Sequence, residues 1–188
     1  MSKTKRIKDP IYGYVEIPGS YIEIIDTPVF QRLRRIVQTS YAPLYSSAVH
    51  NRFVHSIGVF YLGCIAIDSL QKNTSKRILK YLDNEESYIE AFKLACLLHD
   101  VGHAPFSHTG EDYYMLNGSI DNLHNELMCQ INSSNFNNEL SHLNKSDYAK
   151  PHEIMSAIIG LKEFAYIFKD DSCIKEFFVR CILGYSYS

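Results

Sequence analysis

The ten residues His99–His108, HDVGHAPFSH, bring three imidazoles and one carboxylate close together in the chain. His99 and Asp100 are adjacent and follow an apolar run. A charged carboxylate there is costly to bury unless it is paired or bound to a metal. An imidazole and a carboxylate at one helix end can reach a single cation held above that end. That donor mix suits Zn, Mn, Fe and similar divalent ions. His55 lies in an earlier apolar run, FVHSIGVFYLGCIAIDSL, and would supply a third ligand if the two runs pack side by side. His152 follows further on and is a fifth histidine with a case for chemistry.

Each of these residues also has a plainer reading. A lone histidine in an apolar helix is commonly a hydrogen-bonded core residue, and a lone aspartate at a helix end commonly pairs with an arginine. Three histidines and an aspartate within ten residues, with Gly102 and Pro105 between them, favour a metal or catalytic site. His99 and His103 also have the four-residue spacing of a zinc peptidase helix. That chemistry needs glutamate beside the first histidine as general base. The chain has Asp100 there, one methylene shorter, and Gly102 weakens the helix, so a peptidase is set aside.

The elements that must position these groups read as helices. Residues 53–70 are apolar on most faces, and the length argues for a buried helix rather than a strand. Residues 88–99 form a second buried helix, punctuated by Gly102 and Pro105. Residues 71–87 read as a solvated connection. Upstream, Tyr21 to Ile25, and then Phe30, Leu33, Ile36 and Val37 after Pro28, recur at helical steps. Asp26-Thr27-Pro28 offers a cap followed by a first-turn proline. Arg32, Arg34 and Arg35 read as a solvated or interface face. Residues 9–17, DPIYGYVEI, read as a short extended segment or hairpin. Residues 117–150 are rich in Asn and Ser and read as a loosely constrained insertion. Helical patterns return after Pro151 and over Cys173–Leu183. His50, His124 and His142 read as surface or loop residues.

Composition narrows the classes. The chain has 188 residues, 46% hydrophobic and 21% charged, which excludes a disordered or fibrous protein and fits one domain. Nineteen basic against 21 acidic residues give a net charge of −2, so the whole chain makes no electrostatic case for nucleic acid. The longest nearly apolar stretch, Gly58–Ile67, is shorter than the roughly 18 residues that a membrane span needs. The basic start MSKTKRIKDP is followed by no apolar signal region. Cys64, Cys96, Cys129, Cys173 and Cys181 are scattered, odd in number and form no CxxC. They read as reduced thiols of a cytoplasmic protein.

With these residues in view, HDVGHAPFSH resembles the signature of the HD-domain phosphohydrolases. HNRFVHSIGVFYL (His50–Leu62), IIDTPVFQRLRRIVQ (Ile24–Gln38) and DPIYGYVEI (Asp9–Ile17) are similar, in order and spacing, to the deoxynucleoside triphosphate triphosphohydrolase branch. That branch includes the SAM-and-HD-domain dNTP hydrolases. The likeness is dense over residues 9–111, thin over 112–150, and resumes at PHEIMSA (Pro151–Ala157). It implies an all-α fold, an HD-domain helical bundle with a short N-terminal extended segment or hairpin. The expectation is a single HD domain over residues 1–188, with 117–150 as the Asn-rich insertion.

The resemblance further implies a divalent metal ion held by His55, His99 and Asp100, with Mn, Fe, Mg, Zn and Ni not distinguished. It implies that Arg52 contacts substrate phosphate, for which a guanidinium fork is suited. His103, His108, Glu111 and His152 match catalytic positions on the phosphate side. Gln38 matches a position near the sugar. Asp26 and Arg34 are similar to positions that bind a regulatory nucleotide at subunit contacts, and a homo-oligomer is implied. The implied reaction is dNTP plus water to deoxynucleoside plus triphosphate. The family's fourth metal ligand, an Asp in a D-x-x-D-Y-like run, has no counterpart in these 188 residues, so the chain reads as ending before it. Two alternatives follow: an HD phosphohydrolase acting on another nucleotide phosphate ester, and a non-catalytic nucleotide-binding or regulatory short form.

Overall fold

A computed structural model describes residues 4–39, 44, 49–73, 85–116 and 120–187. The fold is all-α apart from one hairpin. Strand β1 (Thr4–Asp9) pairs antiparallel with β2 (Gly13–Pro18), in register from Thr4↔Pro18 to Asp9↔Gly13. Asp9 closes the turn by accepting from the Ile11 and Tyr12 amides. The alternation of β2 puts Val15 and Ile17 into the core.

Helix α1 (Gly19–Ile25) ends at Asp26. Thr27 then caps α2 (Pro28–Gln31), accepting from the Phe30 amide with Pro28 in the first turn. The periodicity of Phe30 to Val37 predicts a longer helix than the one formed. The chain tightens into a 3-10 turn at Arg32–Arg35 and is extended from Ile36. Val37 bridges Asn51, and Arg52 donates its amide to Ile36 O. This extended pairing fixes the start of the next helix, α3 (Arg52–Asn73).

Helices α3 and α4 (Glu85–Leu98) pack side by side and carry the apolar runs seen in the sequence. The expectation that α3 is buried holds for one face only, which carries Phe53, Ile57, Phe60 and Ile67. Leu62, Ile65 and Leu70 are exposed. Its most apolar 18-residue window has a mean hydropathy of 1.6, enough by length and composition alone to cross a membrane. The same helix starts with a fully buried arginine, Arg52, and packs along α4. The connection read over 71–87 is helical as far as Asn73 and again from Glu85, and its middle lies outside the described residues.

After α4 come the loop of HDVGHAPFSH, α5 (Asp112–Leu116), α6 (Ile120–Ile131), α7 (Ser134–His142), α8 (Pro151–Glu163) and α9 (Ser172–Leu183). The Asn-rich stretch is not loosely held. Leu127, Ile131, Phe136 and Leu140 bury their side chains in the common core, and Ser133 caps α7. Buried Arg180 of α9 joins Glu139 of α7 and Glu176 of its own helix, and Ser133 also donates to Glu176. Residues 117–119 of this stretch lie outside the described residues. Helix α8 packs on α6 and α9, and α9 lies along α4. Asp171 caps α9, and Gly184 closes it at φ 73°, a left-handed conformation that favours glycine.

Candidate metal and phosphate site

The site sits where α3, α4 and α8 converge on the loop after α4. His55 projects from the first turns of α3, and His99 and Asp100 follow the end of α4. Their ligand atoms all lie within 4.8 Å of one another. His99 Nε2 faces His55 Nε2 at 3.2 Å and Asp100 Oδ1 at 3.5 Å. The tautomer of His99 follows from its other nitrogen. Nδ1 lies 3.0 Å from the carbonyl of Cys96, which can only accept, so Nδ1 carries the proton. In the neutral ring the Nε2 lone pair is then free to ligate, the arrangement seen in metal-bound histidines. These three residues fit a divalent ion.

Asp100 is buried and multiply held. Arg52, 2% exposed, donates from Nη1 to Asp100 Oδ2 at 2.6 Å. His103 Nε2 lies 3.3 Å from Asp100 Oδ1. Burial alone would push the Asp100 carboxyl up, but His103, His99 and Arg52 outweigh it and hold it well below the usual carboxylate range. His55 is shifted down, mainly by burial, with Asp100 opposing.

A second cluster adjoins the first. Glu111 Oε1 is 2.5 Å from His108 Nδ1, 2.8 Å from His152 Nδ1 and 3.8 Å from His103 Nδ1. The His103 and His152 rings stack at 3.8 Å between centroids. His108 stands edge-on to both. Burial, then the nearby His103, pushes His152 down to about 3, and burial also lowers His103. Both rings are therefore neutral at pH 7, while His108 is largely open to solvent. His152 reaches the cluster because Pro151 starts α8 there and the Glu153 carboxylate accepts from the Lys150 amide.

The loop joining the clusters is held by residues that sequence reasoning did not place in the site. Phe106 and Ser107 both have positive φ, 70° and 57°, a costly conformation for non-glycine residues. It turns the Ser107 hydroxyl under Arg52, which donates to it from Nε at 3.2 Å and Nη2 at 2.5 Å. Arg32 is not a solvated residue: it donates to the carbonyls of Val101 and His103. Tyr114 donates to the carbonyl of Gly102, and the Gly102 amide donates to Ser156 Oγ at 2.8 Å. A run of three arginines does not reveal which one finds carbonyls, and serine and tyrosine carry no distinguishing signal in a single sequence.

Other expected residues lie apart. Gln38 pairs with His50 through its backbone at the start of α3, and its buried Oε1 has no hydrogen-bond partner among the described residues. Asp26 pairs with Lys5 at 2.7 Å. Arg34 donates to Gln31 and lies 3.6 Å over the Phe53 ring. His124 corrects the surface reading. It is buried on α6, donates from Nδ1 to the Ile120 carbonyl and packs on Tyr148.

Comparison with known proteins agrees with this geometry. The HD domain family model matches residues 52–165. The deoxynucleoside triphosphate triphosphohydrolase SAMHD1 of Homo sapiens is 42% identical over 106 residues, 55% of this chain and 16% of that protein. Its Dictyostelium discoideum homolog is 37% identical over 128 residues, 66% of this chain and 24% of that protein. The chain thus spans a quarter or less of the length of these relatives. The crystal structure of a phosphohydrolase from Bacteroides thetaiotaomicron superposes with a TM-score of 0.58 at 28% identity, covering 95% of this chain and 34% of that one. With a histidine and the His-Asp pair meeting at one point, and the family model spanning α3 to α8, the chain belongs to the HD-domain family.

Proposed function

We propose that this chain carries the catalytic core of a metal-dependent phosphohydrolase that converts a dNTP to deoxynucleoside and triphosphate. The observation that supports it is the adjacency of two unlike clusters. One, His55, His99 and Asp100, has the donors for a divalent ion. The other, His103, His108, Glu111 and His152, offers imidazoles for proton transfer, and the two meet at the 3.3 Å approach of His103 to Asp100. The similarity to dNTP triphosphohydrolases favours this substrate class over other phosphate esters.

A divalent ion held by His55, His99 and Asp100 would supply Lewis acidity, drawing electron density from a phosphoryl oxygen. Arg52 keeps Asp100 ionised and in place, and its Nη2 edge, 3.4 Å from His108 Nε2, presents positive charge toward the phosphate side. Glu111 orients His108 through Nδ1. That leaves Nε2 of this exposed ring to pass a proton to the leaving sugar oxygen. His152, held neutral by burial, sits behind Glu111, with Nδ1 2.8 Å from the carboxylate oxygen that faces His108. Gln38 is assigned to the sugar side, and Asp26 and Arg34 to a regulatory nucleotide at the contact between copies.

The test is a product assay with the 188-residue chain, Mn2+ and each of the four dNTPs, separating triphosphate from orthophosphate. Triphosphate and free deoxynucleoside, lost in His99→Gln and His108→Gln, are expected. Orthophosphate or a monophosphate product would instead assign the chain to another phosphate ester. Nucleotide binding by calorimetry without turnover would support the regulatory reading.

A further inference from the structure

We infer that His103, His108, Glu111 and His152 form a second cation site, one that takes a divalent transition metal of the zinc class. Their ligand atoms lie within 4.8 Å of one another. The three Nδ1 atoms surround a single carboxylate oxygen at 2.5, 2.8 and 3.8 Å. A tetrahedral zinc ion with bonds of about 2.0–2.1 Å sets its ligands about 3.3 Å apart. The observed separations from Glu111 bracket that value, and binding would turn the His103 and His152 rings, stacked at 3.8 Å and 19°, out of parallel so that both Nδ1 lone pairs meet the ion.

A second feature points the same way. His103 is 0% exposed, yet neither of its ring nitrogens has a hydrogen-bond partner among the described residues. His152 Nδ1 also lacks one, although Glu111 Oε1 is only 2.8 Å away. The approach is close but misaligned for N–H donation. Buried polar atoms without partners are costly, and a shared cation would satisfy two of them, His103 Nδ1 and His152 Nδ1, together with the carboxylate. His103 also has a metal-ligating imidazole's surroundings: Nδ1 faces the cluster and Nε2 faces Asp100 at 3.3 Å. Three imidazoles and one carboxylate are a borderline donor set that suits zinc, copper or nickel better than magnesium or calcium.

Occupancy would take up the imidazole lone pairs used in proton transfer, so excess zinc would inhibit. That consequence rests on the hydrolase reading; the binding itself does not.

The experiment counts bound metal. Metal-free chain is equilibrated with Zn2+ and analysed for metal content, and Co2+ serves as a spectroscopic probe. Two equivalents are expected in the wild type. One is expected in Glu111→Gln, in His152→Gln and in His99→Gln, and none in His99→Gln with Glu111→Gln. A single wild-type equivalent that Glu111→Gln removes and His99→Gln keeps would support this site and count against the first. A single equivalent that survives Glu111→Gln overturns the inference. So does a second equivalent that persists in both Glu111→Gln and His152→Gln. A thiolate-to-cobalt band that accompanies the second equivalent also overturns it, by moving that ion to the free cysteines. Glu111→Gln preserves side-chain shape, so the inference stays testable if His152→Gln fails to fold, which circular dichroism would report. At tenfold excess zinc, hydrolysis is expected to fall at least tenfold.

Discussion

The guanidinium of Arg32 donates to the backbone carbonyl of His103 at 2.7 Å and also to that of Val101. One side chain from the 3-10 turn therefore sets the height of the loop that carries Asp100 and His103. Arg32→Gln removes the fork, leaving two carbonyls in a partly buried loop without a charged donor. The expected loss is about 2–3 kcal/mol of stability, in the range for hydrogen bonds to charged groups. Metal affinity should fall with it. Urea denaturation and a metal titration check both, and unchanged metal affinity would confine Arg32 to a stabilising role.

Arg52 and Asp100 form a buried ion pair at 2.6 Å, and cutting one partner should cost more than removing both. Arg52→Met strands a buried carboxylate, for which about 3–5 kcal/mol is expected. Arg52→Met with Asp100→Asn should recover a large part of that. Arg52→Lys keeps the charge but cannot reach Asp100 and Ser107 together, so it should fall between. Denaturation of the wild type, Arg52→Met, Asp100→Asn and the double variant completes the cycle. An additive double mutant would mean the pair is not energetically coupled.

How far the sequence disclosed this site depended on residue type. His99 and Asp100 stood out because three histidines and an aspartate crowd ten residues, and His55 joined them on the condition that the two apolar runs pack side by side, as α3 and α4 do. A hairpin was legible in DPIYGYVEI from its turn residues, but its first strand, Thr4–Asp9, lies almost wholly before that segment. Arg32 was not legible, because its partners are carbonyls, which every residue has. The loop geometry was hidden too: Phe106 and Ser107 take left-handed conformations with no glycine to announce them. The Asn-rich stretch misled because composition averages over faces. Leu127, Ile131, Phe136 and Leu140 bury their side chains in the core, with Ile120, Leu123, Met128 and Leu143 packed against it, and hold α6 and α7 in place. His124 is one more buried residue of that stretch.

Acid should destabilise the metal-free protein earlier than carboxylate titration alone would. His55, His103, His124 and His152 are each shifted down chiefly by burial, His152 to about 3. Unfolded, each titrates near pH 6.5. Between the folded and unfolded values the unfolded chain binds more protons, so stability is full above about pH 6.5 and declines as pH falls below it. Thermal melts in chelator from pH 7.5 to 4.5 should show the decline starting near 6.5. His124→Gln, away from both clusters, should make it shallower. A flat profile down to pH 5 would contradict the neutral burial of these rings.

Gly102 is the residue whose replacement should couple fold and site most directly. A Cβ there would lie 2.3 Å from the Ser156 amide nitrogen and 2.4 Å from the His152 carbonyl oxygen. Both are backbone atoms of α8, so no side-chain rotation relieves the clash. Gly102→Ala must push the loop and α8 apart, at about 1–3 kcal/mol or more for overpacking. The displaced helix carries His152, so its 2.8 Å approach to Glu111 should lengthen as the Gly102 bond to Ser156 breaks. Ser156→Ala removes only that hydrogen bond, with about 1 kcal/mol expected and His152 left in place. NMR of histidine ring nitrogens separates the two. Gly102→Ala should shift the His152 resonances strongly and Ser156→Ala should not. Equal small shifts would mean that the loop yields instead of the helix.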